Sequence, residues 1–221
     1  MILLNTENII IRVFEFSPFN ENTYLVWEPL SREAFLLDPG CLNNSEENEL
    51  FEFVSVNNLI IKFMLNTHCH LDHIFGNYFI KHTFPECLFY APPLDLPLLK
   101  NAGRQASLYG IHCNESPLPD VEIKEEDEIC IGNLKFKPLF TPGHTAGEFC
   151  FYEKRAAICF TGDVLFRESI GRSDLWGGNA NILLNSITEK LFTLPEEVLV
   201  YPGHGESTTI GYEKINNPFF L

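Results

Sequence analysis

The sequence predicts an α/β layered fold, and three observations carry that prediction. Apolar runs of strand length alternate with segments of helical spacing in both halves of the chain. Several of those runs break off into a turn that carries histidine or aspartate, which is where α/β sheets place their sites. At 221 residues and 45% hydrophobic, the chain can bury one full-sized core, so residues 1–221 read as one domain.

β-Branched and aromatic residues dominate Ile9 to Phe16, Thr23 to Trp27 and Ala34 to Leu37, the last running into "DPG". These open the chain as strands. "SEENELFEFVSV" (45–56) starts with Ser45 as a cap and an acidic first turn, then sets Leu50, Phe53 and Val54 on one helical face. "LIIKFMLNT" (59–67) is a buried strand that leads into "THCHLDH", predicted as a strand-to-helix loop before a helix from Phe75 to His82. Five prolines and no clear strand make 91–120 a helix-and-loop excursion over one face. The segments 122–145 and 147–166 alternate like hairpins. Leu183, Ile187 and Leu191 align on a helix over 181–192, "EVLVYPGHG" is a last strand and turn, and "TTIGYEK" a short closing helix.

Thirty acidic against fifteen basic residues leave a net charge of −15, a field that repels phosphate backbones and excludes nucleic acid as a partner. The first residues, "MILLNTENIIIRVFEF", lack the basic start, apolar run and small-residue cleavage site of an export signal. No stretch has the length of a membrane span, so the expected location is cytoplasmic, with no membrane partner. The seven cysteines are odd in number, scattered and mostly flanked by apolar residues, and read as reduced core thiols. The twenty phenylalanines read as core.

The chemistry gathers at the ends of strands. His68, His70, Asp72 and His73 fall within six positions; His144 follows "LFTPG", Asp163 follows "CFTG", and His204 follows "LVYPG". Neutral imidazole and carboxylate suit zinc, iron or manganese. Seven such groups exceed what one tetrahedral ion uses, which points to two divalent metal ions sharing a carboxylate. Gly143, Gly162 and Gly203 each precede a candidate ligand and permit sharp turns into a cavity.

"THCHLDH" matches the T-H-x-H-x-D-H pattern of the metallo-β-lactamase superfamily, and "PGHT", "TGD" and "PGHG" follow in that superfamily's order. Through "DVLFRESIGRSDL" and "PGHGESTTIGYEKINNPFF" the chain resembles the glyoxalase II, or hydroxyacylglutathione hydrolase, branch over nearly its whole length. The resemblance implies an αββα four-layer sandwich. It implies that His68, His70 and His144 hold one metal and Asp72, His73 and His204 a second, with Asp163 bridging, and that a hydroxide between them attacks the substrate. Asp72 and Asp163 become the candidate catalytic carboxylates. Zinc is the first candidate metal, with iron or manganese also suited, and a thioester such as S-D-lactoylglutathione the first candidate substrate. A thiol of pKa about 8.5 leaves without a strong general acid.

The chain departs from the long form of glyoxalase II, whose C-terminal helical domain supplies much of the glutathione pocket. The resemblance is to the short form, for which the metal chemistry carries over and the substrate does not. The 91–120 excursion is then the first candidate for a pocket wall, with Arg104, Tyr109 and His112 available to an anionic substrate. Arg172 of "GRSD" either touches substrate or pins its loop by pairing with Asp174, and the second reading is favoured. His82 and His112 lie in no motif, and Cys69 alternates with the histidines and should point away from them. Persulfide dioxygenases share the fold and motifs; on that alternative His68, His144 and Asp163 alone would hold a single iron. Hydrolysis of another ester or lactone is the other alternative.

Overall fold

The computed structural model describes residues 1–221. Its first sheet runs in chain order: β1 (Ile2–Asn5), β2 (Ile10–Phe16), β3 (Glu21–Trp27), β4 (Glu33–Leu37), β5 (Ile60–Leu65), β6 (Leu88–Ala91) and β7 (Val121–Glu122). Neighbours are antiparallel from β1 to β4 and parallel from β4 to β7. Parallel steps need crossovers. These are α1 (Asn44–Val56), then α2 (Leu71–Ile74) with α3 (Asn77–Thr83), then α4 (Leu96–Lys100) with α5 (Ala102–Leu108).

The second sheet contains β8 (Ile129–Ile131), β9 (Leu134–Phe140), β10 (Phe149–Glu153), β11 (Ile158–Gly162), β14 (Leu199–Pro202) and β15 (Thr208–Thr209). A small ribbon of β12 (Leu165–Phe166) and β13 (Ser169–Ile170) branches from it. Outside lie α6 (Ala180–Ser186), which widens into a π-turn over Ile187–Leu191, and α7 (Ile210–Asn216).

Three apolar layers hold the four structural ones together. The period of two along a strand sends Phe35 and Leu37 of β4 into the layer between the sheets, and Ala34 and Leu36 into the layer under α1 to α5. Phenylalanines fill the middle layer: Phe35 stacks on Phe63 at 5.1 Å and meets Phe136 edge-on at 5.0 Å. Leu183, Ile187 and Leu191 join Val200 and Ile210 in the third. The architecture is therefore the αββα sandwich of the metallo-β-lactamase type. Truncating a buried phenylalanine such as Phe160 costs about 3–5 kcal/mol.

Local differences from the sequence reading have local causes. Asn43, not Ser45, caps α1, because its Oδ1 accepts from the backbone N–H of Ser45 and of Glu46. β1 and β6 are four-residue strands, too short for their periodicity to stand out. The histidine cluster is not all loop, since Asp72 and His73 lie in the single turn of α2. Cys130 is exposed on β8 and Cys113 half-buried, so only five of the seven thiols are in the core. No helix is long and apolar enough to cross a membrane.

Candidate metal centre

Four strand ends meet at one edge of the sandwich. β5 delivers residues 67–73, β9 delivers His144, β11 delivers Asp163 and β14 delivers His204. The seam between the sheets is hydrogen-bonded beside them: Phe149 N–H donates to the Thr67 carbonyl at 2.9 Å and Asn22 N–H to that of Gly203 at 2.7 Å. Gly162 turns with φ +48°, and a Cβ there would meet Thr67 Oγ1 at 2.5 Å. Gly203 does not adopt the left-handed conformation; a Cβ there would come within 2.4 Å of Asp163 Oδ1. Its hydrogen is needed for close approach rather than for turning.

The structure brings all seven ligand-type residues together. The ligand atoms of His68, His70 and His144 lie within 4.8 Å of one another, as do those of Asp72, His73 and His204, and those of His68, His73 and Asp163. Asp163 thus sits between the two outer groups. Its Oδ1 is 3.5 Å from His73 Nε2, and its Oδ2 is 3.5 Å from His144 Nε2 and 3.7 Å from His204 Nε2. His70 Nδ1 is 2.7 Å from His144 Nε2, and Asp72 Oδ2 is 3.1 Å from His204 Nε2.

This donor set fits divalent cations. His68 Nε2, His73 Nε2 and Asp163 Oδ1 are buried without a hydrogen-bond partner. Each buried orphan costs about 1–3 kcal/mol unless something binds it. Imidazole nitrogen with carboxylate oxygen is the chemistry of zinc, iron and manganese.

Proton bookkeeping behind the ligands points the same way. Asp38 accepts from Thr67 N–H and, through Oδ2, from the Thr67 hydroxyl, both at 2.7 Å. With its one proton committed, that hydroxyl can only accept from His68 Nδ1 at 3.0 Å. His68 therefore carries its proton on Nδ1 and turns a lone pair on Nε2 toward the cluster. Asp38 Oδ2 likewise takes the Nδ1 proton of His73 at 3.1 Å, and the Arg172 carbonyl that of His144 at 2.7 Å. Such backing partners set tautomer and ring orientation.

Glu148, buried, accepts from Asp163 N–H at 2.8 Å and lies 3.4 Å from His68 Nδ1, so one carboxylate braces groups from both sheets. Asp95, also buried, ties Cys69 N–H at 3.2 Å, the Thr145 hydroxyl at 2.7 Å and Gly147 N–H at 2.8 Å into one turn. Sequence reasoning passed over Asp38, Asp95 and Glu148. "DPG" at a strand end was a signal for the first; the other two had none.

Burial and adjacent imidazoles hold His68 well below the usual histidine range, and the same causes push His70 down to about 3. Burial also lowers His144, against the pull of Asp163. These three are neutral, as ligands must be. Burial opposes charge on His73 too, but the carboxylates of Asp72, Asp163 and Asp38 outweigh it and raise that group.

The substrate-side candidates fall on the open flank. A cavity of about 240 Å³ lies over the cluster, bordered by Asp72, Tyr109, Arg172 and Leu175. It adjoins one of about 490 Å³ bordered by Arg104, Tyr109 and Trp176. Arg172 is bidentate on Asp174 at 2.8 Å twice, the pairing favoured from sequence. Exposed His82 stacks on Tyr78 at 4.6 Å, and His112 is exposed outside the cluster. The Cys69 side chain packs in the apolar layer under the helices.

Fold and cluster together define a metallo-β-lactamase-type domain, and the chain belongs to the metallo-β-lactamase superfamily, whose model matches residues 17–204. Its relatives include the Haemophilus influenzae hydroxyacylglutathione hydrolase GloC, 34% identical over 95% of this chain and 97% of that protein. Among solved structures, the BLEG-1 B3 metallo-β-lactamase superposes with a TM-score of 0.87 at 32% identity, covering 96% of this chain and 99% of that one. TTHA1623, solved in a di-iron-bound form, gives 0.84 at 35% identity, covering 94% and 99%. The chain is thus placed among metallo-hydrolases.

Proposed function

We propose that the protein is a metal-dependent hydrolase of thioesters, with S-D-lactoylglutathione the first substrate to test. His68, His70 and His144 would hold one divalent cation and Asp72, His73 and His204 a second, with Asp163 between them. Bound there, the cations supply Lewis acidity toward a carbonyl and bring the pKa of water down to about 7. The rest is the work of the chain. Asp38, Thr67 and the Arg172 carbonyl hold protons on the Nδ1 atoms of His73, His68 and His144, which leaves Nε2 as the nitrogen each ring turns toward the cluster. Asp72 and Asp163 both border the cavity and are the carboxylates placed to take a proton released when water adds to the carbonyl. A thiolate leaves without a strong acid.

The observation that carries this reading is the set of buried, partnerless atoms, His68 Nε2, His73 Nε2 and Asp163 Oδ1, all facing one another. The name of the GloC relative supports the glutathione thioester as a starting substrate. Elemental analysis combined with D-lactate release from D-lactoyl thioesters, S-D-lactoylglutathione first among them, tests it. Two cations per chain and activity abolished by a chelator are expected. One iron per chain with oxygen uptake on glutathione persulfide would replace the hydrolase with a mononuclear dioxygenase held by His68, His144 and Asp163.

A further inference from the structure

The larger cavity opens directly off the metal centre: His70, Gln105, Tyr109 and Leu175 border both spaces. Its outer part is apolar and wet. Leu108, Tyr109 and Trp176 are 83%, 59% and 62% exposed, large apolar groups gathered at one mouth with no core to account for them. Leu98 and Leu175 complete the surface. In a chain with thirty acidic residues, no aspartate or glutamate borders this space. Its one cation is Arg104, which has no carboxylate beside it there, whereas Arg172 is occupied by Asp174.

We infer that this cavity receives the apolar arm of the scissile ester or thioester, an alkyl or aryl group that carries a single anionic charge met by Arg104. The inference rests on the hydrolase reading of the adjoining centre and specifies its substrate class. A glutathione arm matches the cavity poorly, because its ammonium finds no carboxylate and its two carboxylates share one guanidinium. An apolar monoanion matches it on both counts: burial of its chain against Leu98, Leu108 and Trp176, and one charge for one cation.

Trp176 reports binding independently of turnover, since the only other tryptophan, Trp27, is buried. The metal-loaded protein is titrated with 1-hexanesulfonate and with glutathionesulfonate while tryptophan emission is followed, with Trp176→Phe identifying the signal. Hexanesulfonate should bind at least about tenfold more tightly, and Arg104→Ala should weaken it by about tenfold. Equal or tighter binding of glutathionesulfonate, or an affinity unmoved by Arg104→Ala, overturns the inference. Turnover of lactoyl thioesters of glutathione and of an apolar thiol is measured on the same samples. If neither is cleaved, the hydrolase reading falls while the titration still decides what the cavity binds.

Discussion

The floor of the cleft and the wall beside it differ in how their side chains are held. On the floor, His68, His73 and Asp163 are buried and each is backed by a further residue: Thr67 behind His68, Asp38 behind His73, Glu148 behind Asp163. On the wall, Arg104, Leu108, Tyr109 and Trp176 stand in solvent, and the one notable contact among them is the edge of Tyr109 against Phe19 at 5.5 Å. A floor braced in this way serves one chemistry whichever substrate arrives. A wall of exposed side chains can change without disturbing it, so on the proposed reading the identity of the reaction and the identity of the substrate reside in physically separate parts.

The harshest way to break the floor is Asp163→Ala. With the carboxylate between the two histidine groups gone, hydrolysis should fall roughly a thousandfold, ~4 kcal/mol, and elemental analysis should find fewer than two cations per chain. Asp38→Ala comes next. It strips the acceptor from His73 and from Thr67, and cation affinity measured against a chromophoric chelator should drop about 10–100-fold. Glu148→Ala should destabilise the protein by about 1–3 kcal/mol in denaturant melts, because Asp163 N–H loses its acceptor. Glu148→Gln keeps an oxygen there and should recover most of that loss.

Changes to the wall should be smaller and of another kind. Trp176→Ala should raise KM a few-fold at constant kcat, with stability altered by no more than about 0.5 kcal/mol. The smallest effect is on the anchor of the excursion. Asp120 Oδ2 accepts from Phe89 N–H at 2.8 Å and Lys81 Nζ at 2.7 Å. Burial works against its ionisation, but these bonds hold the carboxyl below its usual range. A depressed folded-state pKa means a contribution present above the unfolded value near 4 and lost as pH falls through the folded one. Asp120→Asn should therefore cost a few tenths of a kcal/mol at neutral pH and nothing at strongly acid pH, read from melts across that range.

The ligand-type residues were legible because each sits in a short pattern whose meaning is local: four fall within six positions after an apolar strand, and His144, Asp163 and His204 each follow an apolar strand and a glycine. The bracing roles of Asp38 and Glu148 were not, since they depend on partners 35 and 15 positions away that the pairing of neighbouring strands, β4 with β5 and β10 with β11, brings near. The 91–120 segment shows the boundary within one stretch. Its prolines announced an excursion and its Arg104 and Tyr109 were expected at a pocket wall, where both border a cavity, yet nothing foretold that Asp95 would be buried and bonded to the His144 turn.

Strand periodicity and the residue types at strand ends are properties of neighbours in the chain, and from these the α/β class and the donor groups of the centre could be read, whereas the four-layer sandwich followed only from the family resemblance. Which nitrogen of each histidine faces inward, which carboxylates stand behind, and which apolar side chains remain uncovered beside the centre were decided by strand pairing within each sheet and by the packing of the layers. Hydrogen bonds and burial act between atoms close in space, and here the decisive pairs lie far apart along the chain.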